Sequence, residues 1–170
     1  RELDKARMIR FDESNGYLHS TDLGRVASHF YIGVQSIVLF NEQLKPTMTE
    51  AAVLSMVAES TEFDNIKVRD EEIEELSLLL DEACMLHPVK GGSENPNGKT
   101  NILLQTYISN APIKAFSLQS DSYYVAQNAA RLFRGLFEIV QKRNWPTMTY
   151  RLINMCKQVC VLSHHDKVSR

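Results

Sequence analysis

The chain has 170 residues, of which 44% are hydrophobic, with a formal net charge of −2 and a pI of about 6.2. This length and apolar content can bury one good core, which excludes a disordered tail and predicts one main domain. The pI argues against a free-standing basic nucleic-acid binder, for which a value above roughly 9 is typical, so any nucleic-acid contact is expected to be a local patch.

Cysteine usage and hydropathy indicate an intracellular protein without a membrane partner. The three cysteines, Cys84, Cys156 and Cys160, lack the spacing of a disulfide framework, which argues against a stapled secreted module. No apolar run approaches the roughly 20 residues that span a bilayer, and residues 1–11 lack the pattern of a signal peptide. Because the chain begins at Arg1 without a methionine, we expect it to be a piece of a longer protein.

The N-terminal region is predicted to form a β-hairpin over residues 6–20, because two short β-compatible runs flank Asn15-Gly16. A lone hairpin is marginal in water. Residues 1–20 are therefore interpreted as the edge of an upstream domain, residues 21–162 as a helical bundle, and residues 163–170 as a polar tail that frays.

The first half of the bundle is predicted to contain four amphipathic helices, at residues 22–32, 34–44, 49–60 and 69–86. The first is expected to be capped by Ser20 or Thr21 and the third by Thr47 or Thr49, since a hydroxyl oxygen accepts from unpaired amides of the first turn.

The predicted helix over residues 69–86 is strongly acidic. Its acids are expected to form a solvated face opposite an apolar face made of Ile73, Leu76, Leu79, Leu80 and Ala83. We expect no metal here, because carboxylate sites in helical bundles usually include a Glu-x-x-His pair on another helix, which the chain lacks.

Residues 87–99 are rich in Gly, Pro, Asn and Ser and are predicted to be a flexible loop. Gly98-Lys99-Thr100 is similar to the end of a phosphate-binding loop. However, Ser93 occupies the position where that motif needs its first glycine. No buried strand is predicted before it either. Nucleotide binding is therefore not expected, and Thr100 is predicted to cap a helix over residues 101–109.

The longest amphipathic run, residues 117–142, is predicted to be a helix around which the other helices pack. Ser120 and Asp121 are expected at its N-terminal cap, and Lys142 and Arg143 at its C-terminal end before Pro146. Its core face is predicted to consist of Val125, Ala129, Leu132, Phe133, Leu136, Ile139 and Val140.

The other side of this helix carries a polar row made of Gln127, Arg131, Arg134 and Glu138, at spacings of three or four residues. The spacing alone favours a solvated helix face. The alternative is a strip that contacts a nucleic-acid backbone, because Arg pairs bidentately with phosphate and Gln reaches phosphate or base edges. Composition does not choose between the two.

The last helix is predicted over residues 146–161, with Met148, Leu152, Met155, Cys156 and Val159 facing inward. Cys156, Cys160 and His164 recur at a spacing of four, as ligands of one metal could. Two thiols at the helical period are more often core residues, so no metal is expected.

Several long stretches of the sequence resemble the Sec-sixty-three-type helical domain that follows the helicase cassettes of large superfamily 2 RNA and DNA helicases. The resemblance covers nearly the whole chain. It is carried by TDLGRVASHFYI (21–32), EFDNIKVRDEEIEEL (62–76), NILLQTYIS (101–109), SDSYYVAQNAARLFRGLFEI (120–139) and WPTMTYRLINMCK (145–157).

The resemblance implies a mainly α-helical bundle around one long central helix, with the short N-terminal β-hairpin as the remnant of a winged-helix wing. It also implies that the long helix is the family's ratchet helix, with Gln127, Arg131 and Arg134 toward single-stranded nucleic acid. The implied partners are that strand, the helicase motor domains and other subunits of the parent complex, in the nucleus and/or cytoplasm. No cofactor is implied for this chain.

The chain departs from the family pattern at its C-terminal end, where VCVLSHHDKVSR stands in place of a helix-hairpin-helix and an immunoglobulin-like sandwich. The motifs of the motor domains are also absent from this sequence, so the chain alone is expected not to hydrolyse ATP. The alternative function is a helical protein-protein interaction module within a helicase-containing complex. Its docking surface would be the acidic face of residues 70–82 or the loop of residues 87–99.

Overall fold

The computed structural model describes the backbone of residues 2–81 and 85–168, and side-chain surroundings within these ranges as far as Cys160. The elements follow in the order α1 (Glu2–Lys5), β1 (Ile9–Phe11), β2 (Leu18–Ser20), α2 (Asp22–His29), α3 (Val34–Gln43), α4 (Glu50–Ala58), two 3-10 helices (Thr61–Phe63 and Asp70–Glu72), α5 (Ile73–Asp81), α6 (Pro96–Ile108), α7 (Phe116–Lys142) and α8 (Pro146–Val168). This confirms the predicted mainly α-helical bundle with an N-terminal hairpin.

The hairpin pairs β1 with β2 in an antiparallel register that places Ile9 opposite Ser20. Its turn is closed by the Asp12 carboxylate, which accepts from the backbone and hydroxyl of Ser14, and Gly16 adopts a φ of 73°. The hairpin rests on the start of α2 at Gly24, where any Cβ would overlap with the carbonyl oxygen of Met8. A glycine is therefore required for this close approach.

Two helices of the first half of the bundle, α2 and α4, begin at hydroxyl caps. Thr21 accepts from the amide of Gly24 at the start of α2, and Thr49 accepts from the amide of Ala52 at the start of α4. The sequence left two possible cap residues for each of these helices, and the structure identifies Thr21 and Thr49 as the caps.

Two other predicted helix starts are wrong. α6 begins at Pro96 with Asn95 as its cap, whereas Thr100 lies one turn inside the helix and donates its hydroxyl to the Pro96 carbonyl. The reason is that Asn followed by Pro is a good start for a helix, because Pro has no amide left unpaired at the first position. α7 begins at Phe116, so Ser120 and Asp121 are not its caps.

The predicted acidic helix is shorter than expected and is divided into a 3-10 turn and α5. Leu76 and Leu79 are buried as predicted, and Asp70, Glu71 and Glu74 are exposed. Glu72 is fully buried, so the acids do not all belong to a solvated face. Glu82, Ala83 and Cys84 lie outside the described residues.

The core is centred on α7, a continuous helix of 27 residues that contacts α2, α6 and α8. All seven residues predicted for its core face are buried, with Phe133 and Leu136 at 0% exposure. α8 folds back along α7 and contributes Met148, Leu152, Met155 and Val159 to the core, whereas Cys156 is only half-buried. Its backbone stays helical past Val161, as far as Val168.

Candidate nucleic-acid interface

The face of α7 opposite the core is a continuous accessible stripe. At about 100° per residue, one side of the helix collects exposed or half-buried side chains over its whole length, namely Phe116, Ser120, Tyr123, Tyr124, Gln127, Arg131, Arg134, Glu138 and Gln141. The predicted polar row occupies the C-terminal half of this stripe.

Gln127 stands in the middle of the stripe with its amide exposed. Within the described part of the chain its side chain makes no hydrogen bond. It therefore keeps two donors and an acceptor for a ligand.

Arg131 is half-buried and is held by protein oxygens. One guanidinium nitrogen donates to the carbonyl of Phe30, at 3.1 Å, and to that of Tyr31. The other terminal nitrogen donates to the Asn128 side-chain oxygen at 2.6 Å. Two of these three hydrogen bonds thus tie α7 to the segment between α2 and α3, which sequence periodicity does not reveal.

Arg134 is exposed, and its guanidinium lies 3.3 Å from the Cys160 sulfur on α8. Because a thiol is a weak acceptor, this contact leaves the guanidinium available to a stronger anion. Arg134 is thus the cation of the row that is best placed to meet a phosphate.

Sequence reasoning missed the aromatic part of the surface. Tyr123 and Tyr124 are 49% and 39% exposed, and they precede Gln127 by four and three residues, a spacing that would have placed them on the same stripe. The Tyr124 hydroxyl donates to the Glu62 carbonyl at 2.9 Å. Tyr31, at 82% exposure, joins the stripe through its contact with Arg131.

A buried charge cluster lies under the N-terminal half of α7. Lys99, at 0% exposure, donates to the carboxylates of Glu72 at 2.6 Å and Asp121 at 2.7 Å, and to the Lys67 carbonyl at 2.8 Å. The Ser117 hydroxyl also donates to Glu72, at 2.7 Å. Lys99 therefore faces two carboxylates rather than an accessible phosphate site.

The cluster sets the charge state of Glu72. Burial alone would raise the pKa of Glu72, but hydrogen bonds from Lys99, Ser117 and Arg69 outweigh it and hold the pKa at about 2. Glu72 is thus a carboxylate at neutral pH, joining the 3-10 helix to α6 and α7.

The described residues contain no cluster of three or more His, Cys, Asp or Glu side chains arranged to hold a metal ion. Of the three residues at four-residue spacing on α8, Cys156 and Cys160 are not in a disulfide, and the His164 side chain lies outside the described residues. Burial raises the pKa of Cys156 to about 11, which keeps it protonated at neutral pH. Among the described helices, none combines the length and apolar character that crossing a membrane requires.

Comparison of the sequence with known proteins finds relatives that include named helicases. The chain is 57% identical over 159 residues to "Activating signal cointegrator 1 complex subunit 3" of Gallus gallus, covering 94% of the chain and 7% of that relative. It is 50% identical over 159 residues to the DExH-box ATP-dependent RNA helicase DExH14 of Arabidopsis thaliana, again covering 94% and 7%.

A more distant relative is the U5 small nuclear ribonucleoprotein 200 kDa helicase of Homo sapiens, at 41% identity over 157 residues, covering 92% of the chain and 7% of the relative. The chain thus spans only 7% of the length of these curated relatives. The family model described as the Sec63 Brl domain matches residues 20–161, from the end of the hairpin through most of α8. The chain therefore belongs to the Sec63 Brl domain family.

Proposed function

We propose that this chain is a non-catalytic accessory domain of an ATP-dependent nucleic-acid helicase. It guides single-stranded nucleic acid along the stripe of α7, which acts as a ratchet helix, and it braces the motor domains of the parent protein. The residues of this stripe that we assign to the strand site are Gln127, Arg131 and Arg134. The chain needs no cofactor for this role, and catalysis belongs to motor domains elsewhere in the parent helicase.

One observation carries this proposal. The longest helix of the bundle buries one face completely and keeps a polar, cationic and aromatic face accessible along its length. Guanidinium groups attract phosphates, and exposed aromatic rings offer stacking surfaces to unpaired bases. A face of this composition suits a threaded single strand better than a duplex.

The names of the relatives support a helicase as the parent protein. DExH14 is named an ATP-dependent RNA helicase, and the more distant human relative a helicase of the U5 small nuclear ribonucleoprotein. We infer partners of the same kind for this chain, namely motor domains and other subunits of a complex, in the nucleus and/or cytoplasm. The hairpin fits this setting as the edge of an upstream winged-helix domain, because Phe11, Tyr17 and Leu18 are exposed on it.

A second candidate is a helical protein-interaction module within such a complex. It is favoured by an open groove of about 230 Å³ between the acidic face and the segment before α7, lined by Glu71, Glu74, Glu75, Leu78, Leu79, Pro112 and Lys114. Leu78 is 56% exposed in this groove. A basic partner with an apolar anchor would match its charge and shape.

The test of the first candidate is the double variant Arg131→Ala with Arg134→Ala in a helicase that contains this chain. We expect weaker affinity for single-stranded nucleic acid and slower unwinding, because the variant removes both cations of the stripe. Circular dichroism should still show a folded helical bundle, since neither side chain is in the core.

The matched control is Lys90→Ala, which removes one exposed positive charge from the segment before α6. It should leave strand affinity and unwinding unchanged. If the double variant keeps the wild-type affinity, the stripe is not the strand contact. If the double variant unfolds, the two arginines are structural and the proposal fails.

A further inference from the structure

Tyr31 is an exposed aromatic residue with an unfavourable backbone conformation. Its side chain is 82% exposed, and its backbone adopts a φ of 53° in the left-handed region. This region is unfavourable for a bulky side chain, whereas a glycine would adopt it without strain. Since the ring buries little surface, packing of the ring does not compensate for the strained backbone.

The backbone around Tyr31 is fixed from three directions. Arg131 donates to the carbonyls of Phe30 and Tyr31. The amide of Gly33 donates to the Glu62 carboxylate at 2.8 Å. The next side chain, Ile32, is buried against α7 at Gly135, where a Cβ would come within 2.5 Å of the Ile32 Cδ1 atom.

This arrangement presents an exposed aromatic ring on a rigid backbone beside the stripe of α7. Strained backbone that the surrounding structure holds in place is concentrated at functional sites. We propose that Tyr31 stacks on an unpaired base of the bound strand, and that Arg131 is a positioning residue that holds Tyr31 in place. This inference rests on the proposed function, because it requires a single strand along α7.

The chemistry fits a nucleobase rather than a phosphate. A tyrosine ring offers a flat face to any base, and stacking of this kind tolerates all sequences. Arg131 has already used three hydrogen bonds on protein oxygens. Arg134, whose one hydrogen bond is to a weak thiol acceptor, has more donors available for a phosphate.

The test measures binding of the chain to a labelled single-stranded oligouridylate and to the same oligonucleotide with abasic sites. Tyr31→Ala should weaken binding of the normal strand by about 5-fold or more, and Tyr31→Phe should restore it. Neither variant should change binding of the abasic strand. Equal losses on the two strands, or no loss on the normal one, would overturn the stacking role.

Tyr31→Gly separates function from folding. It relieves the backbone strain, so this variant should melt at or above the wild-type temperature and still bind the normal strand as weakly as Tyr31→Ala. Wild-type affinity in Tyr31→Gly would contradict the proposal.

The positioning role of Arg131 is tested by combining variants. Arg131→Ala should weaken binding on its own but add nothing to Tyr31→Ala, and it should leave the salt dependence of affinity unchanged. Additive losses, or a shallower salt dependence, would instead make Arg131 a direct phosphate contact.

Different results would overturn the proposed function and the stacking role of Tyr31. If the wild-type chain shows no salt-sensitive binding of the single strand, the proposed function itself fails. If the wild type binds and Arg134→Ala weakens binding while Tyr31→Ala does not, only the role of Tyr31 is overturned.

Discussion

Lys99 and its two carboxylate partners are charged groups that the fold must desolvate. Charges buried this deeply lose their hydration, and their mutual attraction compensates only when the geometry is good and the remaining donors are satisfied. Lys99 meets this condition with three short contacts that join α6, α7 and the 3-10 turn. The cluster fixes the N-terminal half of α7 at the end of the stripe where Tyr123 and Tyr124 lie.

Glu72 makes the free energy of unfolding of the chain depend on pH. Its pKa in the folded chain is about 2, against an ordinary value of 4.5, so it favours folding above about pH 4.5 and loses this contribution as the pH falls toward 2. The difference corresponds to roughly 3 kcal/mol. Urea unfolding between neutral and acid pH should show this loss for the wild type.

Glu72→Gln is the matched control for this prediction. It removes the titrating group from the cluster, so its unfolding free energy should be lower at neutral pH and should fall less steeply with acid. An identical acid dependence in Glu72→Gln and the wild type would mean that other carboxyl groups account for the loss.

At the scale of elements, α7 holds the bundle together through its buried face. Phe133 is fully buried at the centre of that face. We predict that Phe133→Ala lowers the free energy of unfolding by about 3–5 kcal/mol, because it removes a large aromatic group and leaves a cavity. Urea denaturation measures this directly.

The matched control for Phe133→Ala is Gln127→Ala on the opposite face of the same helix. As an exposed side chain without a protein hydrogen bond among the described residues, it should change stability by no more than about 0.5 kcal/mol. A similar cost for the two substitutions would show that the two faces are not distinct.

The elements also show what local sequence patterns can predict. The core face of α7 follows from its apolar period, and the hairpin follows from Asn15-Gly16, because both are set by residues close together in sequence. The start of α6 was missed since Asn95 and Pro96 lie in a stretch whose composition is typical of a loop.

The features that sequence patterns did not predict depend on contacts between distant parts of the chain. Lys99 and Glu72 are 27 residues apart, and Arg131 is 100 residues from Tyr31. No periodic pattern links such pairs. The polar row of the candidate site was therefore predictable from the sequence, whereas the occupied donors of Arg131 and the exposed ring of Tyr31 were not.

At the scale of the whole molecule, charge is distributed unevenly. The net charge is −2, yet the accessible stripe of α7 carries Arg131 and Arg134, and acids are concentrated around the 3-10 turn and α5. Under the proposed function, this local cationic strip on a mildly acidic bundle makes weak contacts along a moving strand instead of binding it tightly. Such contacts are what we propose for an accessory domain whose motor domains supply the driving force.

The most direct test of a strand along α7 is the salt dependence of binding of a single-stranded oligouridylate by the wild-type chain and by Arg134→Ala. The account predicts that the wild-type affinity falls as salt rises from about 50 to 200 mM, with a logarithmic slope of at least about 0.7 in magnitude. The logarithmic slope for Arg134→Ala should be shallower by about 0.7, the value for one phosphate contact on a single strand. A wild-type affinity independent of salt, or identical slopes for the two proteins, would contradict it.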